Sequence, residues 1–132
     1  MGTDQTATGA AGAPGFAPCF PVRDMRAALA HYRQLGFEAG PYAEGMTWAR
    51  VRLGPAELHL FVKSDHDPAT TAAAADLRVD NADEFVHVLR PTTAGGTCDP
   101  YDTPYGREFV HVDPDHNLMR FVTPATDRDK TG

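Results

Sequence analysis

Apolar and polar positions change period several times between residues 16 and 123, and each change marks an element. Phe16 to Pro21 is a short apolar run that reads as a first strand. Pro18 and Pro21 cannot donate to a central ladder, so this strand belongs at a sheet edge or strand end. Met25, Leu29, Tyr32 and Leu35 then follow helical spacing, with Asp24 placed as N-cap and Gly36 as C-cap. Phe37 to Tyr42 can form a short strand. Met46 to Leu53 and Glu57 to Lys63 alternate with period two, across a Gly54-Pro55-Ala56 turn. Ser64 to Ala73 has no period and reads as a connector. Ala74 to Asp80 is the next strand. Asp80 or Asn81 caps a second helix carrying Ala82, Phe85, Val86 and Leu89 and ending before Pro91. Thr92 to Thr97 reads as a loop, and Cys98 to Tyr101 as a short strand. A last hairpin, Arg107 to Val112 and Asn117 to Thr123, turns at Asp113-Pro-Asp-His-Asn117.

The order β-α-β-β-β thus occurs twice, at an offset of about 57 residues that places Val22 on Val79. The fold class expected is α+β: two βαβββ modules, about 15–63 and about 74–123, in one domain spanning 15–123. One helix covers one face of such a small sheet, and the other face is left to a second unit or another chain. The product is a curved mixed sheet with a concave cleft. Residues 1–14 are small and polar and read as a disordered leader, and 124–132 as a flexible tail.

Strand alternation assigns the faces. Leu58, Leu60 and Val62 point to the helix, as do Ala49, Val51 and Leu53. Glu57, His59, Phe61 and Lys63 then share the concave side with Trp48, Arg50 and Arg52. In the last strand Met119 and Phe121 pack under the second helix, and Leu118, Arg120 and Val122 look into the cleft. From Phe109 to Val112 both faces are apolar apart from His111, so the alternation is ambiguous there.

Composition narrows the function. The 132 residues are 42% hydrophobic and 23% charged, ordinary for a globular protein. Twelve basic and 18 acidic residues give a net charge of −6, which argues against a nucleic-acid partner. No stretch approaches the roughly 18 apolar residues of a membrane span, and the N-terminus lacks the basic and apolar regions of a secretory signal. A cytoplasmic protein is expected. Cys19 and Cys98 have no partner at metal-finger spacing and read as free thiols, Cys19 in the core. Of six histidines, His31 and His87 lie on helices and are expected to be solvated. His66 falls in the connector and His116 in a surface turn. His59 and His111 lie in strands and can face the cleft. No Ser-His-Asp spacing or phosphate loop is visible.

An ordered set of segments spanning about residues 16–123 carries a family resemblance: Pro21-Val-Arg-Asp24, His31-Tyr-Arg-Gln-Leu-Gly-Phe-Glu38, Gly54 to Phe61, Leu77 to Phe85, and Thr103-Pro-Tyr-Gly-Arg-Glu-Phe109 running into Asp113-Pro-Asp-His-Asn117. The chain resembles the vicinal oxygen chelate (glyoxalase/bleomycin resistance/dioxygenase) superfamily, and within it the bleomycin resistance branch. The resemblance implies a homodimer, often with an exchanged N-terminal strand, and ligand clefts between the two chains. Enzymes of that superfamily hold a divalent ion with His and Glu from the first and last strands of each module. Here those places fall at Ala17, near Ala74, at His59 and at Arg120. Three cannot ligate, and a guanidinium repels a divalent ion. Neither a metal nor another cofactor is expected.

What the concave face offers instead is aromatic. Trp48 and Phe61 can stack on a flat ligand. The resemblance adds Tyr42 and Tyr105, which fall where antibiotic-binding relatives carry cleft aromatics, and Tyr101 lies close by. Glu57, His59, His111 and Arg120 complete the candidate ligand-binding set. The chain departs from bleomycin binders at Asp76, where a strand aromatic is common. The expected function is sequestration, without catalysis, of a planar antibiotic or other small-molecule natural product. A bleomycin-type glycopeptide, an anthraquinone or an enediyne would fit. The alternative is a superfamily enzyme, either metal-free or using a shifted ligand set such as His59, Glu108 and His111. A third reading is an accessory protein with no small ligand.

Overall fold

The computed structural model describes residues 15–42, 44–89 and 96–125. The expected leader, most of the tail, the loop at 92–95 and the end of the second helix at 90–91 lie outside the described residues.

Module 1 runs β1 (Cys19–Val22), α1 (Met25–Leu35), β2 (Glu38–Pro41), β3 (Trp48–Leu53) and β4 (Ala56–Val62). Its sheet has the order β1-β4-β3-β2, with β1 parallel to β4 and the other pairs antiparallel. Pro21 therefore stands on an edge strand, where its missing N–H costs no ladder bond. Asp24 caps α1 by accepting from the Ala27 amide at 3.1 Å. Gly36 ends it in the left-handed conformation, φ 106°. The β3–β4 turn consists of two residues, Gly54 and Pro55, because Leu53 pairs with Ala56. Gly54 has φ 59°, the sign tight hairpins need.

Module 2 repeats the plan with β5 (Ala74–Arg78), α2 (Ala82–Phe85), β6 (Gly96–Thr97), β7 (Tyr101–Thr103), β8 (Gly106–Val112) and β9 (Leu118–Pro124). β5 is parallel to β9, and β6 and β7 both pair with β8, so the place of β2 is filled by two short pieces. A turn of 3-10 helix, Pro68–Thr70, lies in the connector.

Two differences from the sequence reading have clear causes. The second helix is one turn long, capped by Asn81, because Val86, His87 and Val88 are weak helix formers. And the modules keep separate sheets, with no ladder pairing between them among the described residues.

The inner faces of both sheets join in one core. Val51, Leu58 and Leu60 of module 1 share it with Phe109, Met119 and Phe121 of module 2. Phe109 and Phe121 stack at 4.7 Å, and Phe85 of the short helix lies over Phe121 at 5.6 Å. Polar groups fasten the junction. The Tyr32 hydroxyl donates to Asp113 Oδ2 at 2.7 Å, and the Asn117 amide donates to the Pro21 carbonyl at 2.9 Å. Arg23 donates to Asp115 Oδ1 at 2.7 Å. The Asp113-Pro-Asp-His-Asn117 turn is thus the clasp between the modules.

Candidate functional site

Since the inner faces meet in the core, the outer faces of the two sheets point away from each other. Each carries part of the residue set that the sequence assigned to a ligand cleft.

The first half-site lies on β2, β3 and β4. Alternation puts Trp48, Arg50 and Arg52 of β3 outward while Ala49 and Val51 are buried. Trp48 pairs with Phe61 across the strands, and their rings stack at 5.6 Å with 24° between planes. Trp48 is nevertheless 40% exposed. His59 adds an edge to both Trp48 and Tyr42, at 6.1 and 5.3 Å. Its Nε2 lies 2.8 Å from Glu57 Oε2, so the carboxylate fixes the orientation of the imidazole. Five predicted residues, Tyr42, Trp48, Glu57, His59 and Phe61, are therefore brought together.

The second half-site lies on β5, β7, β8 and β9. Arg120 is there, but Asp76, its neighbour in register, accepts from its Nε at 2.8 Å. That hydrogen bond also raises the Arg120 pKa. The departure at Asp76 and the guanidinium at Arg120 are thus one ion pair. Tyr101 donates to Glu108 at 2.6 Å, which pushes its hydroxyl up to about 12. Tyr105 is 80% exposed at the β7–β8 turn.

His111 does not face the cleft. It pairs with Met119 on the inner face and is fully buried. Its Nε2 is 2.8 Å from His31 Nε2, and its Nδ1 is 2.7 Å from Thr97 Oγ1. Burial and the His31 ring lower its pKa to about 4. His31 is likewise buried rather than solvated, because its face of α1 packs on module 2. Cys19 is exposed rather than in the core, since Phe20 and Val22 take the inward positions of β1.

These placements bear on the shifted metal set. His59 is on one outer face, Glu108 on the other, and His111 on the inner side of β8, three positions from Glu108 and so on the opposite face. They cannot converge within one chain. Among the described residues no three His, Cys, Asp or Glu side chains form a cation-binding group. The Ala17 and Arg120 positions likewise do not fit the ligand chemistry.

A cavity of about 830 Å³ lies elsewhere, at the module junction. Phe37, Val51 and Leu58 line it from one side and Leu77, Val79 and Phe85 from the other. Of the predicted site residues it touches only Glu57. No described helix is long and apolar enough to cross a membrane.

The sequence reading missed two partners, Asp76 for Arg120 and His31 for His111. The first could have been found from β5–β9 register; the second needed the packing of α1.

The fold is one of two paired βαβββ modules, each with an outer sheet face that carries candidate site residues. No family profile matches the sequence, and no curated protein matches it significantly. Solved structures do. A bleomycin resistance determinant encoded on the transposon Tn5 is 25% identical with a TM-score of 0.72, over 85% of this chain and 98% of that one. A bleomycin-binding protein complexed with bleomycin is 25% identical with a TM-score of 0.71, over 83% and 98%. A glyoxalase/bleomycin resistance protein/dioxygenase domain from Frankia has the same fold at 17% identity and TM-score 0.66, over 84% and 98%. The chain is thus similar in fold to bleomycin resistance proteins and to the glyoxalase/bleomycin resistance/dioxygenase group, consistent with the vicinal oxygen chelate superfamily.

Proposed function

We propose that this protein binds a planar antibiotic or related natural product between two copies of the chain and protects by sequestration, without making or breaking a bond. The observation that carries this reading is the half-exposed Trp48 ring stacked on Phe61, with His59 at its edge and Tyr42 beyond against His59. Aromatic surface left open beside a few oriented polar groups is how flat ligands are held. The relatives named above support it, since one was solved with bleomycin bound. The outer half-sites of one chain face apart, so a second copy would close each cleft, its β8–β9 face bringing Tyr101 and Arg120 opposite Trp48. Tyr105, at the turn, would stand at the rim.

Trp48 is the only tryptophan, so its emission reports on this face alone. Titration with a panel of glycopeptide, anthraquinone and enediyne antibiotics should give saturable quenching by at least one, and calorimetry should find that binding weakened about tenfold by Trp48→Ala and by Phe61→Ala. A flat response to the whole panel would sink the proposal.

The Glu57–His59 pair favours one second reading, a metal-free enzyme with His59 as general base. That reading requires product to form from a bound ligand, which mass spectrometry of the mixture after incubation would detect.

A further inference from the structure

The outer face of β2, β3 and β4 is ordered in three rows. In the first, Arg52 stands between Glu38 and Glu57. In the second, Arg50 stands between Gly40 and His59. In the third, Trp48 pairs with Phe61. Arg52 therefore has a carboxylate on each side in register, and on the other half-site Arg120 has Asp76. Arg50 has instead a residue with no side chain and an imidazole, and its guanidinium lies over the Tyr42 ring, 5.4 Å from the centroid.

Gly40 is what opens this position. No positive φ requires glycine there, and an added Cβ would meet nothing nearer than Arg33 Nη2 at 3.9 Å. A strand glycine required by neither conformation nor packing often marks close approach by something else. The result is a notch of about 280 Å³ lined by Ala39, Gly40, Pro41, Tyr42 and Arg50, with Arg52 and the carboxylate of Glu38, its partner in register, at the other end. It opens beside Trp48, the next outward residue on β3.

Resting on the capture reading above, we infer that the ligand is a planar aromatic molecule bearing an anionic substituent, a carboxylate, sulfonate or ionised phenol. The rings lie on Trp48 and Phe61 and the anion lies in the notch against Arg50. A guanidinium already seated on an aromatic ring presents its fork edge-on, which suits a two-oxygen anion. The chain's net charge of −6 would otherwise disfavour such a ligand, so the local cation decides the specificity.

Three anthracene probes that differ only in charge test this: 9-anthracenecarboxylate, 9-anthracenemethanol and 9-(aminomethyl)anthracene. Each is titrated into the full chain and followed by Trp48 quenching. The carboxylate is expected to bind about tenfold more tightly than the other two. Arg50→Gln should collapse that preference to within about twofold, and Gly40→Leu, which fills the notch, should weaken the carboxylate about tenfold with the circular dichroism unchanged. Equal or tighter binding of the amine, or a preference that survives Arg50→Gln, overturns the anion assignment and leaves capture standing. Absence of saturable quenching by all three likewise overturns the assignment of a planar aromatic anion, whereas capture itself falls only with a flat response to the antibiotic panel.

Discussion

Two imidazoles meet in the interior where the sequence offered two unrelated histidines. His31 and His111 lie Nε2 to Nε2, so one ring must donate and the other accept. If His111 gives its Nδ1 proton to Thr97, its Nε2 is free to accept from His31 Nε2–H. His31 Nδ1, buried without a partner, is then a bare lone pair rather than a stranded N–H, the cheaper of the two. Nitrogen-detected NMR should find the Nε2–H tautomer in His31 and Nδ1–H in His111. Protonation has no room in this arrangement. The His111 pKa near 4 compares with an ordinary 6.5, so in that window the unfolded chain binds a proton the folded protein refuses. Stability must fall as pH drops from 6.5 towards 4, by up to about 3 kcal/mol from this ring. His31, lowered by burial, acts in the same sense. Asp113, raised by burial, acts oppositely because the folded state takes its proton first. Urea unfolding across this range should show the loss, and His111→Phe should make it shallower by about 2–3 kcal/mol. Nearby, Tyr32→Phe removes a buried hydroxyl from Asp113 and should cost about 1–2 kcal/mol in the same assay.

At the scale of elements, the two helices show how far local signals reach. α1 has a capping aspartate, four apolar residues at helical spacing and a C-terminal glycine, and its range follows from them. α2 has the cap and the period but not the propensity, and stops after one turn. Parity alone placed the β3 and β4 faces correctly because apolar and polar residues alternate there. It could not place His111, because β8 is apolar on both sides, and only pairing with Met119 settles it. Gly106 opens β8 at φ 152°, where a Cβ would lie 2.1 Å from the Thr123 carbonyl oxygen. Gly106→Ala should therefore force the β8–β9 ladder apart and cost about 3 kcal/mol, read as a lowered thermal midpoint. A variant as stable as the parent would mean that the hairpin relaxes around the methyl group.

For the whole molecule, the governing fact is that the modules pack inner face to inner face. Trp48 and Arg120, assigned to one cleft from the sequence, end up on outer faces that point apart, so closing the cleft would need two chains. Sedimentation at micromolar concentration should show a species of twice 14.3 kDa, and calorimetry should give one ligand per chain. A monomer that still binds the ligand tightly would contradict the shared cleft. The clasp predicts a different sensitivity. Asn117→Ala removes donors to both Pro21 and Asp113 and should lower stability by about 2–3 kcal/mol, with Trp48 quenching retained once the protein is folded.

Period, caps and turn residues are properties of a few neighbouring positions, so the sequence by itself determined the duplicated βαβββ order, the edge position of β1 and the outward aromatic face of β3 and β4. It also carried enough ordered motif to indicate the family. The tertiary structure alone decided which groups meet across distance: Asp76 with Arg120, His31 with His111, and Tyr32 and Pro21 with the Asp113–Asn117 turn. Those pairs lie more than 40 residues apart. Their partners are chosen by the packing of one module on the other, which no local pattern encodes.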